Sequence, residues 1–133
     1  MEVKKKHARI LFLLYISAVL FLCFGDFSGV SEAPVQFLGF DADKVVHFLM
    51  FLPFPLLFYF SFRPAAGKAW HSLLIALGIL LIGSIIAAST EIVQDFLPYR
   101  ESDIADFMAD FIALCYSSAA ILVIDLIKSS RHA

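Results

Sequence analysis

Charged side chains are scarce in this sequence, with ten Lys or Arg and twelve Asp or Glu among 133 residues, or 17%. A soluble domain of ordinary composition carries about a quarter, so this chain has too little charge to cover a water-facing surface. Cysteine is scarcer still: Cys23 and Cys115 both sit in apolar runs, and neither a CxxC nor an HExxH spacing is present. That argues against a disulfide framework or a structural zinc module and leaves the thiols as small buried hydrophobes. The sequence also lacks a glycine-rich phosphate loop, a serine-nucleophile motif, an internal repeat and a low-complexity tract. No cofactor motif is left, and nucleic acid has no basic surface to bind.

What is present is apolar: 61% hydrophobic residues, fifteen of them Phe, and a mean hydropathy of +0.87. A bilayer core about 30 Å thick asks for roughly 20 apolar residues per spanning helix. Charge-poor stretches at about 10–24, 45–62, 72–90 and 104–127 meet that requirement, the third carrying no formal charge from Ser72 to Thr90. The expected fold is therefore an all-α, multi-pass membrane protein, one domain over 1–133 built as a small bundle of about four transmembrane helices. A basic start followed by an apolar run also fits a cleaved signal peptide. The best small-residue site, Ser31 to Ala33, is followed by Pro34, so the first helix is read as retained.

Basic residues in short loops orient a membrane protein. With both termini inside, Lys4, Lys5, Lys6, Arg9, Arg63, Lys68, Lys128 and Arg131 fall on the inner side, and only Lys44 and Arg100 on the outer. The expected setting is a bacterial inner membrane, N-in and C-in. Tyr59 and Trp70 near the inner loop and Tyr99 near the outer one suit interfacial aromatic positions.

Six of the twelve carboxylates fall between Glu91 and Asp110, between two apolar segments. The topology brings them to the same side as Asp43, Lys44 and His47, which open the second helix. Asp43 and His47 are four apart, Glu91 and Gln94 three apart, and Asp103, Asp106 and Asp110 form one helical stripe. A carboxylate well inside a spanning helix costs about 2.5–3.5 kcal/mol on insertion scales and usually faces a bundle interior or a wet cavity. Asp106 and Asp110 lie deepest, whereas Asp95 and Glu101 read as solvated loop residues. One polar pocket facing outward is the economical arrangement.

The patterns Asp43-Lys44-x-x-His47-Phe48 and Glu91-x-x-Gln94-x-Phe96-x-Pro98-x-Arg100-x-x-Asp103-x-x-Asp106 resemble the VanZ-like membrane proteins. The likeness covers about residues 41–120. It assigns the site to Asp43, Lys44, His47, Glu91, Gln94, Arg100, Asp103 and Asp106. Members of that family usually carry Asn four residues after the last Asp, then Gly three and seven residues further on, where this chain has Asp110, Ala113 and Ser117. The family takes its name from a glycopeptide-resistance cluster, and the resemblance implies a cell-envelope setting.

The chemistry of these side chains leaves several readings open. Lys44, Arg100 and a protonated His47 can hold a phosphate or carboxylate, with Asp43 and Gln94 lining the site. His47, Glu91, Asp103 and Asp106 are the candidate catalytic acids and bases, and the carboxylates offer a place for a divalent cation bridging to a phosphate. The leading expectation is an outward pocket that recognises or modifies a lipid or lipid-linked anionic head group. The alternatives are a proton- or ion-linked transport element working as a homo-oligomer, and a non-catalytic accessory protein in which the polar groups join helices, His47 bonding Glu91 or Asp106. Pro53 and Pro55 should kink the second helix, and the segment between helices 1 and 2 is read as surface-lying or re-entrant, a lid over the cluster. Gly83 with Ala87, and Ala113 with Ser117, should let helices 3 and 4 approach closely.

Overall fold

A computed structural model of the chain describes residues 2–27, 36–37, 39–62 and 69–130. The helices are α1 (Glu2–Phe24), α2 (Ala42–Phe51), α3 (Phe54–Phe62), α4 (Ala69–Gln94) and α5 (Ile104–Ser130). A short antiparallel pair, β1 (Gln36–Phe37) and β2 (Phe40–Asp41), precedes α2. Four stretches are long and apolar enough to cross a membrane: Lys4–Phe24, Ala42–Phe62, Trp70–Gln94 and Ile104–Ser130. The all-α, four-span expectation holds, with longer helices than the uncharged windows suggested. Helix ends tolerate polar residues where the membrane gives way to head groups, so α4 runs on through Glu91 to Gln94.

The second span is two helices because its sequence contains two prolines. Pro53 and Pro55 supply no backbone donor, and the chain turns between Phe51 and Phe54. Two neighbouring hydroxyls donate to carbonyls at this break: Tyr15 to Met50 at 2.5 Å and Ser117 to Leu52 at 2.5 Å. The kink is thus held by α1 and α5 together, which is how broken helices persist away from water.

In lipid, apolar burial gives little reason for helices to associate, so close packing and interhelical hydrogen bonds carry the assembly. Helix α5 packs against α2, α3 and α4, while α1 lies mainly on α3. A seam of phenylalanines joins α1 to α3, with the Phe12 ring edge-on to Phe58 at 5.7 Å and to Phe62 at 5.6 Å. Gly83 marks the tightest approach, because a β-carbon there would stand 2.6 Å from a Leu114 methyl and 3.1 Å from the Phe54 ring. Ala87 and Ala113 are fully buried beside it, as the small-residue pattern predicts.

Two expectations need correction or limits. Tyr59 is not an interfacial aromatic: it is buried, and its hydroxyl donates to Asp125 of α5. Trp70 and Tyr99 are exposed as expected. The middle of the supposed lid, residues 28–35, and residue 38 lie outside the described residues, as do Arg63, Lys68 and Arg131. Its last part is the hairpin, turned at Gly39 with φ of +83°, a left-handed conformation that favours glycine.

Candidate functional site

Helix ends of three spans meet at one end of the bundle, and each contributes charge there. Asp43, Lys44 and His47 occupy the first turns of α2, Glu91 and Gln94 the last turn of α4, and Asp106 and Asp110 successive turns of α5. Asp103 precedes α5 and caps it, its Oδ1 accepting from the Ala105 N–H at 2.9 Å. Its own N–H donates to Glu91 Oε2 at 3.2 Å, tying the end of α4 to the start of α5.

The cluster is layered by depth. At the mouth, Lys44 Nζ lies within 3.2–3.7 Å of four carboxylates, those of Asp41, Asp43, Asp103 and Asp106. Asp103 is held below the usual carboxylate range by the Ala105 N–H and by Lys44. One turn deeper, His47 Nδ1 stands 3.1 Å from Asp110 Oδ1 and 3.9 Å from Glu91 Oε1, while Nε2 is 3.9 Å from Asp106 Oδ2. Asp110 is fully buried and Glu91 and Asp106 about nine-tenths so, at 0%, 8% and 7% exposure. The His47 partner is therefore Asp110 rather than Glu91 or Asp106. Four residues separate His47 from Asp43 and Asp110 from Asp106, so the two deeper residues end up level.

Two of the expected site residues have a different local task. Gln94 Nε2 donates to the Cys23 carbonyl at 3.0 Å, Tyr99 to Phe24 at 3.2 Å and Arg100 Nη2 to Leu22 at 2.6 Å. These are three of the last carbonyls of α1, which a helix cannot satisfy from within. Arg100 also lies over the Phe27 ring, 5.2 Å from its centre. Gln94 and Arg100 are thus committed to the end of α1, although both still border the site. Asp95 accepts from Ser102 in the exposed loop, as the solvated reading expected.

Two cavities adjoin the cluster. One, of about 510 Å³, is lined by Asp43, His47, Gln94, Tyr99, Arg100 and Asp106, among others. The other, of about 350 Å³, is lined by the carboxylates of Glu91, Asp95 and Asp103 together with the apolar Ile92, Phe96, Ile104 and Phe107. Phe96 and Ile104 are the most exposed apolar side chains of that rim, at 80% and 81%, which suits contact with lipid.

The opposite end holds a second buried acid that spacing did not reveal. Asp125 of α5 accepts from Tyr59 of α3 and from Ser72 of α4, the latter at 2.7 Å. Lys128 sits 5.5 Å from the centre of the Tyr59 ring. The only sequence signal was an acid late in the fourth apolar run. Its partners lie 53 and 66 residues away.

Comparison with known proteins adds three facts. A family profile described as VanZ/LLP1 matches residues 10–125. An uncharacterized protein of Schizosaccharomyces pombe is 33% identical over 109 residues, which take in 82% of this chain and 57% of that protein, so the chain spans little more than half the length of this relative. No solved structure matches.

Proposed function

Since the chain belongs to the VanZ/LLP1 family of membrane proteins, we propose that its acidic end is a binding site for the head group of a lipid or lipid-linked anionic compound in the cell envelope. The observation that carries this reading is the second cavity, whose lining combines the carboxylates of Glu91, Asp95 and Asp103 with the exposed apolar side chains of Phe96 and Ile104. A ligand that is polar at one end and greasy at the other fits such walls, and a free water-soluble ion has no use for the apolar side. Lys44 at the mouth is the cation that meets a phosphate or carboxylate first. His47, Glu91, Asp103 and Asp106 are the groups available for proton transfer if the head group is modified. The positive-inside rule puts Lys4, Lys5, Lys6, Arg9 and Lys128 in the cytoplasm and this site outside.

Native mass spectrometry of protein released from bilayers of mixed lipids tests the proposal. Wild type should retain anionic phospholipid in preference to phosphatidylcholine. Lys44→Gln should weaken that preference at least about tenfold, the loss expected from one charge-assisted contact, with folded yield unchanged. Equal retention of anionic and neutral lipid by wild type would remove the reading. The helix-joining alternative draws on the His47–Asp110 bond; it requires that Lys44→Gln and His47→Ala lower folded protein and leave the lipid preference of what remains intact.

A further inference from the structure

Charge does not balance at the acidic end. Three carboxylates, of Glu91, Asp106 and Asp110, are buried there around one imidazole. Lys44 approaches Asp106 only from the mouth, at 3.5 Å. Glu91 Oε1 and Asp106 Oδ1 are buried without a hydrogen bond among the described residues. Ionised oxygens removed from water need a positive partner or several donors, and the side chains present supply too few. An anionic head group would add to the excess.

The same atoms are spaced for an ion. One donor atom each from His47, Glu91 and Asp110 lie within 4.8 Å of one another. Donors around a tetrahedral ion with bonds of about 2.0–2.2 Å stand roughly 3.3–3.6 Å apart. His47 Nδ1 lies 3.1 Å from Asp110 Oδ1 and 3.9 Å from Glu91 Oε1, so two edges of the triangle are within a few tenths of an ångström of that spacing, and the third, between the two carboxylates, is no longer than 4.8 Å. The Glu91 carboxylate is oriented by its other oxygen, which accepts the Asp103 N–H, and the unpartnered Oε1 is left facing His47. On the far edge of the ring, Nε2 faces Asp106 Oδ2 at 3.9 Å. A metal-bound histidine commonly donates its second N–H to a carboxylate, and Asp106 must close in by about an ångström to accept it.

We infer that His47 Nδ1, Glu91 and Asp110 bind a divalent first-row transition ion, with Asp106 orienting the imidazole. An imidazole with two carboxylates suits Mn²⁺, Fe²⁺ or Zn²⁺ better than Ca²⁺ or Mg²⁺, which favour oxygen donors alone. Aspartate at position 110 supplies an anionic ligand where an amide would be a weak one. The ion offsets the surplus of carboxylates, and its open coordination positions accept a phosphate oxygen. That last step rests on the head-group reading, whereas the ion itself rests on the three donors.

Protein purified in detergent, stripped with EDTA and titrated with MnCl₂ gives the test, bound Mn²⁺ being read from loss of the free-ion electron paramagnetic resonance signal. Wild type should take up one Mn²⁺ per chain, displaced by Zn²⁺. Asp110→Asn and His47→Ala should each weaken binding more than a hundredfold, and Asp106→Asn by about tenfold to a hundredfold, as for a group that orients a ligand. Asp125→Asn, at the other end, should leave affinity unchanged. Glu91→Gln keeps the acceptor for the Asp103 N–H and guards against misfolding, with helicity checked by circular dichroism. Folded wild type that takes up neither Mn²⁺ nor Zn²⁺ overturns the inference, as does unaltered uptake in folded Glu91→Gln. Anionic lipid retained in EDTA by protein that binds no ion removes the metal and keeps the head-group reading; an ion bound with no lipid preference does the reverse.

Discussion

Asp110 and Asp125 are the same residue type on the same helix, four turns apart, and both are buried. Their surroundings differ. Asp125 accepts from two hydroxyls, those of Tyr59 and Ser72, so its oxygens have donors and three spans are joined through them. Asp110 shares one imidazole with Glu91 and Asp106, and two oxygens in that group make no hydrogen bond among the described residues, one of them having only the Lys44 ammonium at 3.5 Å. A buried carboxylate whose oxygens have donors behaves as a fastening. One crowded among other acids behaves as a place waiting for positive charge. Depth in the membrane therefore does not by itself mark a functional residue; the partners decide.

The contrast is broken most directly by removing each acid in turn. Asp125→Ala removes the acceptor that two buried hydroxyls share and should cost about 2–3 kcal/mol, seen as a fall in Tm in detergent. Asp110→Asn should cost under about 1 kcal/mol, because the amide still offers an oxygen to His47 and like-charge crowding is relieved. Equal losses in metal-free buffer would mean that both ends are fastenings.

A smaller effect is expected at the loop between α4 and α5. Arg100→Ala uncovers the Leu22 carbonyl and should cost about 1 kcal/mol, the net worth of an ordinary hydrogen bond, because this bond is exposed to solvent and falls below the range of a buried one to a charged donor. The Mn²⁺ affinity of the folded variant should be unchanged, since none of the three ion donors touches this side chain. A loss of affinity as large as that of His47→Ala would make Arg100 part of the deep cluster after all.

The smallest effect is a pH dependence at the mouth. The folded value of Asp103 lies below its ordinary 3.8. A group with a lowered folded value binds protons more readily when unfolded, so its contribution is fully present above that ordinary value and is lost as pH falls through the folded one. Tm of wild type should therefore drop more steeply than that of Asp103→Asn below about pH 4, and the two curves should run parallel from pH 5 to 8.

Legibility followed distance along the chain. The four spans could be read because about 20 apolar residues in a row are a local property, and the break in the second span because two prolines are. The acids of the site could be read because i, i+3 and i+4 spacing is local as well. What escaped was pairing across the bundle. His47 and Asp110 are 63 residues apart, Arg100 and Leu22 are 78 apart, and Tyr59 and Asp125 are 66 apart. Nothing in the spacing of Gln94 and Arg100 from Glu91 distinguishes a ligand-binding group from one that caps another helix. The resemblance leaves Asp110 out of its assigned set because the family usually carries an amide there, and the fold makes it the most buried member of the cluster.

The cap on α1 makes the first span answerable to the loop that rims both cavities. Gln94, Tyr99 and Arg100 grip three consecutive carbonyls, of Leu22, Cys23 and Phe24, while their neighbours Phe96 and Ser102 wall the membrane-side cavity. A ligand pushing this loop outward must either carry the end of α1 with it or strip those carbonyls bare. A helix with no acid near the site is thereby tied through its last carbonyls to the loop that borders both cavities.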